Sequence, residues 1–124
     1  VISIVLGAFG AHGLKPHVSA DAIVSFKTGV YYQMTHAIFL ILLVLLSKEI
    51  KPIFNVIIFR LISIGIVLFS GSIYFIVLNK VFDWVEISGL IGVITPVGGS
   101  LLIISWCLVL KNVILFFRRD DVLS

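Results

Sequence analysis

Residues 89–106, GLIGVITPVGGSLLIISW, decide how the chain is read. The stretch is apolar enough for lipid, yet it carries a proline and four glycines where a water-soluble helix would have neither. A membrane helix tolerates such residues because its neighbours can satisfy the backbone groups they free. Pro96 has no N–H, and its ring crowds the carbonyl one turn earlier, at Gly92. The sequence therefore predicts a membrane helix broken or bent at Pro96. It also predicts that His36, or a hydroxyl from Ser70 or Ser72, reaches the carbonyl freed near Gly92.

The rest of the chain fits a lipid setting. Of 124 residues, 60% are hydrophobic and 12% charged, and the mean hydropathy is +1.26; in soluble proteins about a quarter are charged. This predicts one integral membrane domain, residues 1–124, with room for about four helices of roughly 20 residues. The net charge of +3 sits at turns and tail, without a basic run. No nucleic-acid partner is expected. The single cysteine, Cys107, allows no internal disulfide.

Four spans are expected, at about 1–12, 28–47, 53–78 and 87–117. The fold class is all-α, a membrane-spanning antiparallel four-helix bundle whose fourth helix bends at Pro96. The run from Val1 to Ala11 is too short to cross alone, so a first helix truncated at its N-terminus is expected, with the natural chain beginning upstream. Ser3, Gly7 and Ala11 form a small-xxx-small face for close packing. Gly13 is a C-cap candidate and Pro16 a stop, while Ser19 and Asp21 read as an N-cap and first-turn acid. Tyr31, Tyr32 and Trp84 fit an interfacial belt. Lys48, Lys51, Lys111, Arg118 and Arg119 outnumber Lys15, Lys27 and Lys80 on the other side, which places both termini in the cytoplasm.

Counting about 1.5 Å per residue puts His36, Ser70 and Thr95 at one depth, about 12 Å below the outer surface. Gln33, Ser72 and Tyr74 are slightly shallower. These six are the expected polar layer. The stripes Gly29–Gln33–His36–Leu40–Val44, Arg60–Ser63–Val67–Ser70–Tyr74 and Ser88–Gly92–Thr95–Gly99–Leu102–Trp106 suggest facing seams. Helix break and close packing are assigned to Gly7, Gly10, Gly71, Gly92, Pro96, Gly98 and Gly99. His12, Arg60 and Trp84 are placed at the interface, Arg60 by snorkelling.

The blocks GAFGAHGL (7–14), YQMTHAI (32–38), FSGSIY (69–74) and GVITPVGG (92–99), followed by Trp106, resemble the domain of unknown function 423 family. These are small multi-pass membrane proteins, YgdD/YwdK-like and transmembrane protein 256-like. The resemblance covers nearly the whole chain in the right order. It implies a bacterial inner-membrane protein of about four helices, lacking a dozen or so N-terminal residues here. Val93 stands where the family usually has Pro or Ala, and Ser105 where it usually has Gly. The family has no established activity, so the resemblance implies no role.

No enzyme is expected: no nucleophile, base and orienting group come together. The glycines of GAFGAHG and TPVGGS lack the lysine or strand context of a nucleotide site. No cofactor or metal is expected, since His36 lies about 12 Å deeper than His12 and His17 and no cysteine pair or carboxylate accompanies them. His36 is the sharpest site candidate, because ionisable groups at such depth are costly. Two roles follow. One is a non-catalytic structural or accessory membrane component with lipid, a homo-oligomer or another membrane protein as partner. The other is an oligomeric small transporter or channel lined by His36 and the Pro96 break.

Overall fold

A computed structural model describes residues 1–47, 56–84 and 89–123. They form four helices and no strand: α1 Ile2–His12, α2 Ala20–Leu46, α3 Val56–Phe82 and α4 Gly89–Leu123. Residues 48–55, which include Lys48, Lys51 and the first residues of the expected third span, residues 85–88, which include Ser88, and the side chain of Arg119 lie outside the described residues. The chain is all-α. Helices α2, α3 and residues Ile91–Arg118 of α4 are each long and apolar enough to cross a membrane, whereas α1 is shorter, at 11 residues.

Local chemistry sets the ends. The Ser19 hydroxyl accepts the Ala22 N–H at 3.3 Å, with Asp21 in the first turn of α2. That helix runs unbroken into the second span, so one rod of 27 residues is about 40 Å long against a hydrocarbon layer of about 30 Å. Its ends therefore reach the headgroup layers. Gly13 closes α1 by donating to Phe9 O at 2.7 Å, in right-handed geometry with φ −74. Space explains the residue: a Cβ there would meet the Phe9 ring at 2.7 Å. After α3, Asp83 adopts φ 48 and its N–H bonds Asn79 O at 2.9 Å, a left-handed cap in which an aspartate takes glycine's usual place.

Each helix packs on its successor and runs antiparallel to it. Gly10 meets Phe26 and Gly7 meets Val30 across α1 and α2; Gly65 meets Leu102 and Gly98 meets Phe69 across α3 and α4. Two apolar layers result. Leu14, Ala22, Phe26 and Val77 fill one end, and Leu43, Ile58, Ile62, Leu102 and Val109 the other. At Gly98 the chains of α3 and α4 nearly touch: a Cβ would lie 2.8 Å from Phe69 Cα and against the Phe69 nitrogen.

Pro96 is accommodated within α4, which continues on both sides as one helix. Gly92 and Pro96 are exposed, whereas Gly98, Leu102, Ser105 and Val109 are buried. The proline thus occupies the face turned away from α3.

Candidate functional site

Between the two apolar layers the polar side chains pair with one another. His36 is 5% exposed. Its Nδ1 lies 2.8 Å from Tyr32 O, and its Nε2 lies 3.2 Å from Trp106 Nε1. A carbonyl can only accept and an indole N–H can only donate. The ring that satisfies both is therefore neutral imidazole with the proton on Nδ1, donating to Tyr32 and accepting from Trp106. It stacks on Tyr32 with centroids 5.8 Å apart and meets Trp106 edge-on at 6.3 Å. Trp106 in turn stacks on Phe39 at 4.0 Å. No Cα atoms of α2 and α4 come within 8 Å among the described residues, so these long side chains join two helices whose backbones stay apart.

Two further pairs tie α3 to its neighbours. Ser72 Oγ donates to Phe69 O at 2.9 Å and lies 2.7 Å from Thr95 Oγ1. A hydroxyl has one proton, so with Ser72 committed to Phe69 the Thr95 hydroxyl is the donor between α4 and α3. Tyr74 Oη donates to Gln33 Oε1 at 2.9 Å, linking α3 to α2, and its ring packs 4.9 Å from Phe26. Ser70 Oγ is buried and finds no partner among the described residues. Ser105, buried in α4, donates to Leu102 O at 2.6 Å within its own helix.

The six residues of the expected polar layer thus separate into two cross-helix pairs, His36 with a partner not foreseen, and a serine without a partner among the described residues. The contact expected between His36 and the Gly92 carbonyl does not form, because both imidazole nitrogens are engaged and Gly92 lies on the outer face of α4. Ser72 reaches Thr95 instead of Gly92. Of the glycines, Gly98 and Gly10 are crowded, Gly7 and Gly99 make ordinary contacts at 3.4 and 3.5 Å, and Gly71 and Gly92 have nothing within 4 Å of a Cβ. Gly65 and Gly29 also pack closely, under Leu102 and Tyr74; Gly29 heads the expected α2 stripe, whereas Gly65 belongs to none of the stripes. His12 is exposed at the end of α1, 3.3 Å from Ala8 O. Arg60 is exposed, and exposed Trp84 stacks on Phe82 at 5.0 Å.

Trp106 was legible as a stripe member but not as His36's donor. The usable signal is chemical: an indole N–H in mid-span needs an acceptor, and the buried imidazole supplies one.

Residues 6–99 match the family described as "Protein of unknown function (DUF423)", and the chain belongs to that family. It is 36% identical over 110 residues to the UPF0382 membrane protein YwdK of Bacillus subtilis, covering 88% of this chain and 84% of that protein. A UPF0382 membrane protein of Haemophilus influenzae is 41% identical over 103 residues, covering 83% and 77%. The UPF0382 inner membrane protein YgdD of Escherichia coli is 31% identical over 118 residues, covering 95% and 85%. No solved structure matches the chain. It is a multi-pass membrane protein.

Proposed function

We propose that this DUF423-family chain is a non-catalytic structural or accessory component of the bacterial inner membrane, with both termini cytoplasmic. The observation that supports this most is the closed hydrogen bonding of His36. A proton path runs through chains of Asp, Glu or His that pass the proton on, whereas here the two ring nitrogens meet a backbone carbonyl, Tyr32 O, and an indole nitrogen, Trp106 Nε1, neither of which relays a proton. Ser72, Thr95, Tyr74 and Gln33 are likewise committed between helices. Polar groups used in this way hold helices together in lipid, where apolar side chains alone give little preference for helix over acyl chain.

The E. coli relative is named an inner membrane protein, which supports an inner-membrane address, and the Lys and Arg distribution supports the orientation. Lipid, a second copy or another membrane protein would cover the apolar lateral surface.

Proteoliposomes carrying a pH- or cation-sensitive dye test the reading. Wild type and His36→Ala should both leak no faster than empty vesicles, while His36→Ala unfolds at lower temperature. Saturable flux by wild type, lost in a helical and correctly inserted His36→Ala variant, would overturn the proposal in favour of an oligomeric transporter or channel.

A further inference from the structure

Where α1 ends and α2 begins, a cavity of about 330 Å³ is lined by Ala11, Lys15, Val18, Ala20, Ile23 and Lys27. Four of these side chains are apolar, two are cationic, and none is acidic. Asp21, one residue along from Ala20, lines a separate cavity with Lys80. The depth of the first cavity follows from the chain. Lys27 immediately precedes the apolar run at 28–47, and the interfacial Tyr31 and Tyr32 come one turn later. Because α2 is longer than the hydrocarbon layer is thick, its first turns stand among the headgroups. Beneath the cavity, Leu14 and Phe26 are fully buried, so the site rests on a packed floor.

We infer that this cavity binds the phosphodiester headgroup of an anionic phospholipid. The two ammonium groups suit phosphate oxygens, and Ala11, Val18, Ala20 and Ile23 suit the glycerol and first methylenes. A free phosphate ion would leave the apolar lining uncovered. A choline headgroup would bring a cation to a site that already holds two and offers no carboxylate. The inference does not rest on the scaffold reading, since flux and lipid binding are measured separately and can fail separately.

The full chain in a non-ionic detergent is titrated with phosphatidylglycerol and, separately, with phosphatidylcholine of the same acyl chains, and bound lipid is counted by native mass spectrometry. Phosphatidylglycerol should bind about thirtyfold more tightly, the factor that two basic side chains supply near an anionic headgroup. The double variant Lys15→Gln/Lys27→Gln should abolish the preference, whereas Lys80→Gln should keep it. Ala11→Leu, which retains both charges and fills the apolar part, should weaken phosphatidylglycerol binding several-fold; Ala20→Leu replaces it if circular dichroism shows that Ala11→Leu disturbs α1. Equal binding of the two lipids overturns the inference, as does a preference that survives loss of both lysines. Binding unchanged by the filling variants would assign it to diffuse surface charge. Displacement of the lipid by millimolar inorganic phosphate would assign the site to a free anion.

Discussion

Trp106 on α4 donates its indole N–H to Nε2 of His36 on α2 across 3.2 Å, although no Cα atoms of these two helices come within 8 Å. Helix α3 stands between them and packs on both. The bond therefore clasps two outer helices around a central one, and it works only while the imidazole is neutral and protonated on Nδ1.

Trp106→Phe should keep the stacking on Phe39 and remove the donor. With His36→Ala it forms a double-mutant cycle whose coupling should be about 0.6 kcal/mol and no more than about 1.7 kcal/mol, the range for hydrogen bonds between membrane helices. Unfolding of the four proteins in detergent micelles gives the value. A coupling of zero would mean the clasp adds nothing to stability.

Adding one methyl at two glycines of α4 should have opposite effects. Gly98→Ala drives a Cβ to 2.8 Å from Phe69 Cα and 2.9 Å from the Leu68 carbonyl carbon, atoms of backbone that cannot swing aside. The helices must separate, which should cost about 1–3 kcal/mol or more. Gly92→Ala, like Gly71→Ala, meets nothing within 4 Å. It should stabilise by up to about 1 kcal/mol through helix propensity. Thermal unfolding of the three variants decides the matter, and equal midpoints for Gly98→Ala and Gly92→Ala would contradict the packing.

Helix number, order and type were legible because composition and length leave little choice: 60% hydrophobic residues in runs of about 20, separated by Pro, Gly and charged turns, fit membrane helices. The α2 seam was legible from Gly29 to Leu40, but it closes on buried Leu43 while Val44 is 44% exposed. For α3 a single stripe was the wrong form, since a helix between two partners buries two faces: Ile58, Ile62, Gly65 and Ser72 are buried along with Ser70 and Val77, while Val67 is 68% exposed. For α4 the stripe holds at Leu102, which is buried, and at Thr95, which reaches Ser72, but the buried residues are Gly98 and Ser105 where it marked their neighbours Gly99 and Trp106. In water the polar face marks the outside of a helix, but in lipid both faces are apolar, so rotation about the axis is fixed by close packing and by which polar side chains meet across helices. That left unreadable what would meet the carbonyl freed at Gly92 by Pro96, and Gly92 is turned outward.

Thr95→Val should test which hydroxyl is the donor between α3 and α4. It preserves shape and removes the proton given to Ser72 Oγ, leaving Ser72 bonded to Phe69 O. The expected loss is about 0.6 kcal/mol. Ser72→Ala removes the acceptor and the local bond as well, but the local bond competes with the helix's own, so it should cost no more than Thr95→Val. A Ser72→Ala loss well above that of Thr95→Val would place the proton on Ser72.

The first helix should come loose independently of the other three. The backbone of α1 approaches only that of α2 among the described residues, with no Cα within 8 Å of α3 or α4, and the two helices meet at Gly10 against the Phe26 ring and Gly7 against Val30. A Cβ on residue 10 would stand 2.8 Å from Phe26 Cδ1, and that ring is 0% exposed and held against Tyr74 at 4.9 Å, so it has nowhere to go. Gly10→Ala must therefore lift α1 off α2 rather than repack the core. Hydrogen–deuterium exchange should speed up in residues 2–12 while α2, α3 and α4 keep their protection, because local opening draws only on contacts the segment itself makes. Phe26→Ala is the contrasting case: it empties the layer shared by α1, α2 and α3, and should cost about 3–5 kcal/mol and lower protection in all three. If Gly10→Ala instead destabilised the whole chain as much as Phe26→Ala, α1 would be an integral part of the cooperative unit, and docking by this one glycine would be the wrong account of it.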